Sequence, residues 1–531
     1  MTMESVRNKR TPEVESKLRN LEQTLKRGEF ESAVGEARAI LREQPGLVAA
    51  TRLLGVALCG CGRRGEGNAV LVALAARAPS DALVQNSLGA ARRGIGDLEG
   101  ALAAFKRACL LAPDLPPVWL NRASILFMQD RAEDGLRALD RAIALEPRNA
   151  AARMIRADLL REYGKIDDVV SEYRAVLELD PLAPWPWFGL SNLKNVPMLA
   201  SDIDRIRDAL RAREERGDER TALQFALAKA WEDNQQYDAA FSALVQANAE
   251  VRQRVFWNAA KASKQIDAML HAFPAVHAGA HETQGTGLIF IVSLPRSGST
   301  LVEQILASHR NVQGGGEQGY VGAAIAKEEK RRGCELAAWA DRATHADWQR
   351  MGEHYLEMAA PRPGGEKHLT DKSLGNWRVI GPLLAMLPAA RVVVCRRDPI
   401  ESAFSCYRQW FNQDPHSYTY DVNDIGAYWR DFDRACRHWS ALYPDRIHTL
   451  VLEDLVGDQQ RKTQELLHFC GLNFDMACMQ FHKNERRIKT ISAAQVREPL
   501  RRDTARAAKY GALLDPLRAA LGLPPFADTP T

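Results

Sequence analysis

The 531-residue chain has no long hydrophobic run. Its longest uncharged, mostly apolar stretch, Val379 to Ala390, has 12 residues and is broken by Gly381 and Pro382. That is short of the roughly 18 needed for a membrane-spanning helix. The opening M-T-M-E-S-V-R-N-K-R runs into a charged helical pattern without an apolar h-region. A secretory signal is therefore not expected, and a cytoplasmic location is. Nine cysteines are an odd count, and no C-x-x-C pair occurs. A disulfide framework or structural zinc is not expected, and reduced thiols are. Charge of one sign is also scarce in excess: 71 Lys and Arg against 67 Asp and Glu leave +4. Nothing in that balance supports a dedicated nucleic-acid binder. The 46% hydrophobic and 26% charged content suits a folded soluble protein, and the length calls for two or more domains.

What the chain does have is a beat. Pro45, Pro79, Pro113, Pro147 and Pro181 stand 34 residues apart. Twelve residues before each proline lie Ala33, Gly67, Ala101, Gly135 and Val169, mostly small groups where two helices can press together. Eight before lie Ala37, Leu71, Phe105, Leu139 and Tyr173, mostly larger. Twenty-four before lie Leu21, Gly55, Gly89, Ala123 and Ala157, again mostly small. A proline lacks an amide hydrogen and restricts its predecessor, so each can end the second helix of its unit. The period and the pattern resemble tetratricopeptide repeats, which stack into an α superhelix. Such arrays usually hold an extended peptide, although a scaffold or dimer contact is the plainer alternative. The array is placed at 12–196. A helical connector or degenerate repeat follows at 197–283, where A-L-A-K-A-W-E-D-N-Q-Q-Y-D-A-A-F-S-A-L reads as one more helix pair. H-A-G-A-H-E-T-Q-G-T-G reads as a linker. The last domain occupies 284–531.

L-I-F-I-V-S-L-P, from Leu288 to Pro295, is a buried-strand pattern. R-S-G-S-T follows at once, and then an amphipathic helix. Strand, short Ser/Gly loop and helix aim backbone amides and a positive helix end at an anion. Arg296 adds a fixed charge, while Ser297, Ser299 and Thr300 flank Gly298 with hydroxyl donors. A Walker A loop is disfavoured, because the first glycine is absent and serine replaces the lysine. A second strand-loop-helix unit is R-V-V-V-C-R-R-D-P-I-E-S-A-F-S, from Arg391.

P-R-S-G-S-T-L-V-E-Q-I-L, followed by G-G-G-E-Q, resembles the 5′-phosphosulfate loop of sulfotransferases. Within them it is most similar to tyrosylprotein sulfotransferases and to bacterial proteins that fuse tetratricopeptide repeats to such a domain. The resemblance implies a P-loop-like α/β sulfotransferase domain with a central parallel sheet. It implies 3′-phosphoadenosine 5′-phosphosulfate as sulfuryl donor and requires no metal; no metal-ligand constellation is visible in the sequence. Arg296, Ser297, Gly298, Ser299 and Thr300 would cradle the 5′ group. Arg397 and Ser405, eight residues apart, match the pair that grips the 3′-phosphate, and guanidinium with hydroxyl suits phosphate chemically.

Glu317 lies 21 residues after Arg296, at the offset of the family's general base, behind Gly314, Gly315 and Gly316, which would let the chain bend tightly. Lys372 matches the lysine that stabilises the departing group, with an ordinary surface ion pair to Asp371 as the plainer reading. Ser492 matches a serine of similar role. Such donors act where charge develops. A free phenol near 10 and a free glutamate near 4.3 make prior proton transfer cost on the order of 8 kcal/mol. Either burial raises the glutamate, or the proton moves in step with bond formation, which is favoured.

From Lys483 to Lys509 nine Lys/Arg face three Asp/Glu, a segment that in the family closes over the nucleotide, with a solvated helix face as the alternative. Arg506 is the best-placed candidate there. A-R-A-A-K-Y departs from the family's G-R-W, and Leu452 stands where a tyrosine is usual, so Glu453 and Asp454 read as structural. The expected function is sulfuryl transfer to a hydroxyl acceptor, a protein or peptide tyrosine first, with the array binding the acceptor or a partner. A carbohydrate, lipid or small-molecule acceptor is the nearest rival. A nucleotide kinase on the same scaffold, or a repeat-based adaptor with an inactive nucleotide-binding domain, are the others.

Overall fold

The computed structural model describes residues 11–527 except 130, 214–215, 277–278, 360–366, 412–413, 489, 491–494 and 503–504. The chain divides into two compact units, Met1–Leu159 and Leu160–Thr531. In the first, paired helices follow the proline beat. Helices Phe30–Glu43, Arg64–Arg77, Leu98–Leu111 and Ala132–Leu145 each end two residues before the proline of their repeat. Gly28, Gly62 and Gly96 carry positive φ at the turns inside their pairs. The small positions matter sterically: a Cβ on Gly89 would stand 2.6 Å from the ring of Phe105, which is fully buried.

The second unit opens with helices Ile166–Leu179 and Pro184–Ser191, followed by Ala200–Arg211, Asp218–Asp233, Tyr237–Arg252 and Ala259–Ala272. The Asp218–Asp233 and Tyr237–Arg252 helices pack on each other, as the A-L-A-K-A-W pattern predicts. Five strands follow: β1 (Leu288–Ser293), β2 (Val312–Gly314), β3 (His368–Asp371), β4 (Arg391–Arg396) and β5 (Ile447–Val451). All pair in parallel in the order β2-β3-β1-β4-β5. Phe290 stands opposite both Asp371 and Val392.

Side-chain alternation sends the two faces of the sheet into different cores. Phe290, Val292, Val392 and Val394 join one cluster with Phe225, Leu244, Trp348 and Trp439, so the preceding helices share the core of the sheet. Ile289, Ile291, Val393 and Leu450 pack on the other side with Val302, Ile305, Leu466 and Phe481. Among the described residues no helix is long and apolar enough to cross a membrane.

The chain leaves β1 between neighbours reached by later crossovers in opposite directions, β3 on one side and β4 on the other. In an open parallel sheet that reversal opens a crevice at the carboxyl ends of the strands, where ligands bind.

Candidate active site

The crevice holds a cavity of about 540 Å³ lined from three strand ends. From β1 come Arg296, Gly298, Ser299 and Thr300; from the end of β3 comes Lys372; from beyond β4 come Arg397 and Ser405. Glu317, after β2, and Arg506 line the same space.

The loop after β1 is conformationally unusual. Arg296 has φ 66°, a left-handed backbone rare for a residue with a side chain. Gly298 has φ 88° and caps helix Ser299–Leu306, and a Cβ there would stand 3.0 Å from Leu452. Leu452 thus packs over the glycine. A helix's first turn leaves its amides without intrahelical partners, and here that turn borders the cavity. Buried Ser297 faces Ser402 across 3.2 Å, and Thr300 faces Thr490 across 3.4 Å.

Arg296 Nε donates to Ser405 Oγ at 3.1 Å, and Arg397 donates to the Arg296 carbonyl at 3.3 Å. The loops after β1 and β4 are thereby knotted together. Burial, beside Arg397 and Arg408, lowers the Arg296 guanidinium to about 10. Arg397 donates to Glu401 at 3.3 Å, and the other oxygen of Glu401 accepts the backbone amides of Arg506 and Ala507, each at 2.8 Å. The side chain of Arg506 reaches Glu232, on helix Asp218–Asp233, at 2.6 Å. Glu232 also takes Arg408 at 2.5 Å and the hydroxyl of Tyr510 at 2.8 Å. Against the opposing effect of burial, Arg408 and Arg506 hold its carboxyl below the ordinary range.

Lys372 is 1% exposed and donates to Glu317 Oε1 at 2.7 Å. The surface pair with Asp371 is not found. Asp371 faces away, accepting from Tyr355 at 3.1 Å and from Ser373 at 2.6 Å, and burial raises both its carboxyl and the Tyr355 phenol. Lys372 is the first residue past β3, where its amide bonds to Gly316, and its side chain turns to Glu317 rather than to its neighbour in sequence.

The turn bearing Glu317 is pinned throughout. Gly315 donates to the Thr370 carbonyl at 3.1 Å, the Lys372 amide to the Gly316 carbonyl at 2.8 Å, and Gln318 and Gly319 to Ser373 Oγ at 3.1 and 3.0 Å. Of the three glycines only Gly316 has positive φ; a side chain on Gly315 would strike the Thr370 carbonyl. Glu303 underlies this turn. It is buried, accepting from Gly316 at 2.7 Å, from Thr370 at 3.1 Å and from Arg486 at 2.9 Å. Burial opposes its ionisation, but Arg486 and Lys372 keep it below the ordinary carboxylate range.

Ten of the eleven residues singled out in the sequence lie on or beside this cavity. Ser492 lies outside the described residues. Glu453 accepts the amide of Asp398 at 3.1 Å, a structural contact as read. Sequence reading passed over Glu303 and Arg408, although both fall inside or just past the quoted stretches. It also passed over His416, which lines the cavity with Nδ1 lacking a hydrogen bond among the described residues, and Lys194, which no motif marks.

Residues 289–476 match the sulfotransferase family, and residues 120–184 match the tetratricopeptide repeat. An uncharacterised protein of Aquifex aeolicus (strain VF5) is 25% identical over 405 residues, covering 74% of this chain and 52% of its own length. The chain thus spans about half the length of that relative. The "Protein CTR9 homolog" of Arabidopsis thaliana is 34% identical over 87 residues, 16% of this chain and 8% of its own. Among solved structures, a thermophilic tetratricopeptide-repeat protein of Thermus thermophilus is 25% identical with a TM-score of 0.29, covering 32% of this chain and 91% of its own.

Proposed function

Starting from a chain that carries a sulfotransferase-family domain and tetratricopeptide repeats, we propose that it moves a sulfuryl group from 3′-phosphoadenosine 5′-phosphosulfate to a hydroxyl, foremost a tyrosine of a polypeptide. One observation carries this reading: three strand ends converge an anion loop, a buried lysine and an arginine-serine knot on one cavity beside an exposed carboxylate.

The donor set suits that nucleotide. The helix end with Gly298, Ser299 and Thr300 offers amides and hydroxyls to a 5′ phosphosulfate. Arg397 and Ser405, braced by Glu401 and Arg296, offer a charged fork and a hydroxyl to a 3′-phosphate. The cavity, about 540 Å³, is of nucleotide scale.

In the transfer, the acceptor oxygen forms a bond to sulfur as the bond from sulfur to the bridging phosphate oxygen breaks. The electron pair of that bond leaves with adenosine 3′,5′-bisphosphate. Glu317, whose side chain is 56% exposed, takes the acceptor proton as the new bond makes the phenol acidic. Lys372 has three N–H donors, of which one holds Glu317. The others stabilise charge building on the sulfuryl and bridging oxygens.

A polypeptide acceptor is supported by the repeats, whose kind stacks into peptide-holding surfaces. Calorimetry with adenosine 3′,5′-bisphosphate, followed by a screen of hydroxyl acceptors with labelled donor, tests both parts. Binding that is lost in Arg397→Ala supports the donor site, and no binding by the wild type rejects it. Transfer to glycans but not to tyrosine peptides removes the peptide acceptor and keeps the chemistry.

A further inference from the structure

The cavity that Ser405 lines is built partly from segments that precede the sheet. The turn after helix Pro184–Ser191 brings Lys194 to the cavity, where it lines the same space as Arg296, Arg408 and Ser405. The turn is fastened on both sides of this residue. Before it, Asn192 Oδ1 accepts from the buried amide of Gln409 at 3.0 Å. After it, Met198 donates its amide to Asp233 at 2.8 Å and accepts from Asn234 at 3.2 Å. Leu193 and Met198 are buried, and Trp410 packs its ring on Phe188 with centroids 5.3 Å apart. The backbone that carries Lys194 is thus fixed on both sides.

Its surroundings are short of negative charge. The carboxylates of this wall are already engaged: Glu232 with Arg408 and Arg506, Asp233 with Lys229, Glu401 with Arg397. Among the described residues Lys194 has no hydrogen-bond or ion-pair partner. Burial first, then Arg408, Arg296 and Lys229, push its ammonium well below the ordinary lysine range, against the pull of Glu232. A half-buried lysine among arginines is costly unless an anion completes the group.

The position selects which anion. Lys194 lines the cavity together with Ser405, with Arg296, which donates to Ser405, and with Arg408, three residues beyond Ser405 on the chain. We propose, resting on the donor reading above, that Lys194 is a direct ligand of the donor's ribose 3′-phosphate, so that the turn after helix Pro184–Ser191, ahead of the sheet, supplies part of the nucleotide site. A phosphomonoester dianion offers three acceptor oxygens, enough for Arg397, Ser405 and this third donor.

The test is calorimetric titration of the full chain with two nucleotides, adenosine 3′,5′-bisphosphate and adenosine 5′-phosphosulfate, which lacks the 3′ group. Wild type, Lys194→Gln and Lys194→Arg are compared, with thermal melting of each unliganded protein. Lys194→Gln is expected to weaken the bisphosphate at least about tenfold, to leave the 5′-phosphosulfate within about twofold, and to melt no lower than wild type; Lys194→Arg recovers most of the loss. Unchanged bisphosphate affinity in Lys194→Gln overturns the assignment, as does equal weakening of both nucleotides. A change confined to the acceptor KM overturns it in favour of an acceptor contact. A wild type that binds neither nucleotide brings down the donor reading itself, an outcome distinct from a wild type that prefers the bisphosphate and a variant that prefers it equally.

Discussion

Lys372 is almost wholly buried, yet its ammonium reaches the exposed carboxylate of Glu317 at 2.7 Å. A buried cation ending on an open anion gives each group a task that its neighbour shapes. The lysine fixes where the carboxylate waits, and the carboxylate is a partner for the lysine's charge until a donor arrives.

Replacing the carboxylate should separate binding from chemistry. Glu317→Gln is expected to bind adenosine 3′,5′-bisphosphate like the wild type while kcat falls about 10²- to 10⁴-fold. Lys372→Met is expected to lose about 10²- to 10³-fold in kcat through missing charge stabilisation. Parallel calorimetry and single-turnover rates check this; equal losses of affinity and rate in Glu317→Gln would remove it from the role of base.

Arg296 holds a backbone conformation that costs a non-glycine residue about 1–2 kcal/mol. Glycine would relieve that strain and give back about 0.5–1 kcal/mol through the freedom of its unfolded chain. Arg296→Gly should therefore melt within a few degrees of the wild type while losing donor affinity at least about tenfold. Such a split is expected where strain is kept for function. Wild-type donor affinity in this variant would contradict it.

Glu303 supports the Glu317 turn from below, and its pH behaviour has a definite sign. Arg486 and Lys372 hold its folded-state carboxyl below the ordinary value despite burial. Its stabilisation is thus fully present above the unfolded value of about 4.3 and is lost as pH falls through the depressed native value. Glu303→Gln should be about 3 kcal/mol less stable at pH 7 and converge with the wild type on acidification. Melting curves across that range measure it; a constant gap at all pH values would mean that its charge does not matter.

The repeats were legible because a 34-residue period writes the same steric demand many times, as Gly89 against Phe105 illustrates. The phosphate loop was legible because a strand, a short Ser/Gly loop and a helix follow each other within a few residues. Pairings across the fold were not. Nothing near Lys372 says that it bonds to a residue 55 positions earlier rather than to Asp371 beside it; only the topology of the sheet decides that. Glu303 lies inside a quoted helix, but its partners Gly316, Thr370 and Arg486 come from three other segments. Lys194 is the extreme case. It sits in an unremarkable turn between helices, and only the packing of that turn against Gln409 and Asp233 brings it to the cavity.

The most direct measurement is transfer of labelled sulfuryl from 3′-phosphoadenosine 5′-phosphosulfate to a tyrosine peptide, with wild type and Glu317→Gln run side by side at saturating donor. Label on the phenolic oxygen with the wild type, and its near absence with a variant that still binds the nucleotide, is the expected result. Binding without transfer to any hydroxyl acceptor, or equal transfer by both proteins, would contradict the central claim.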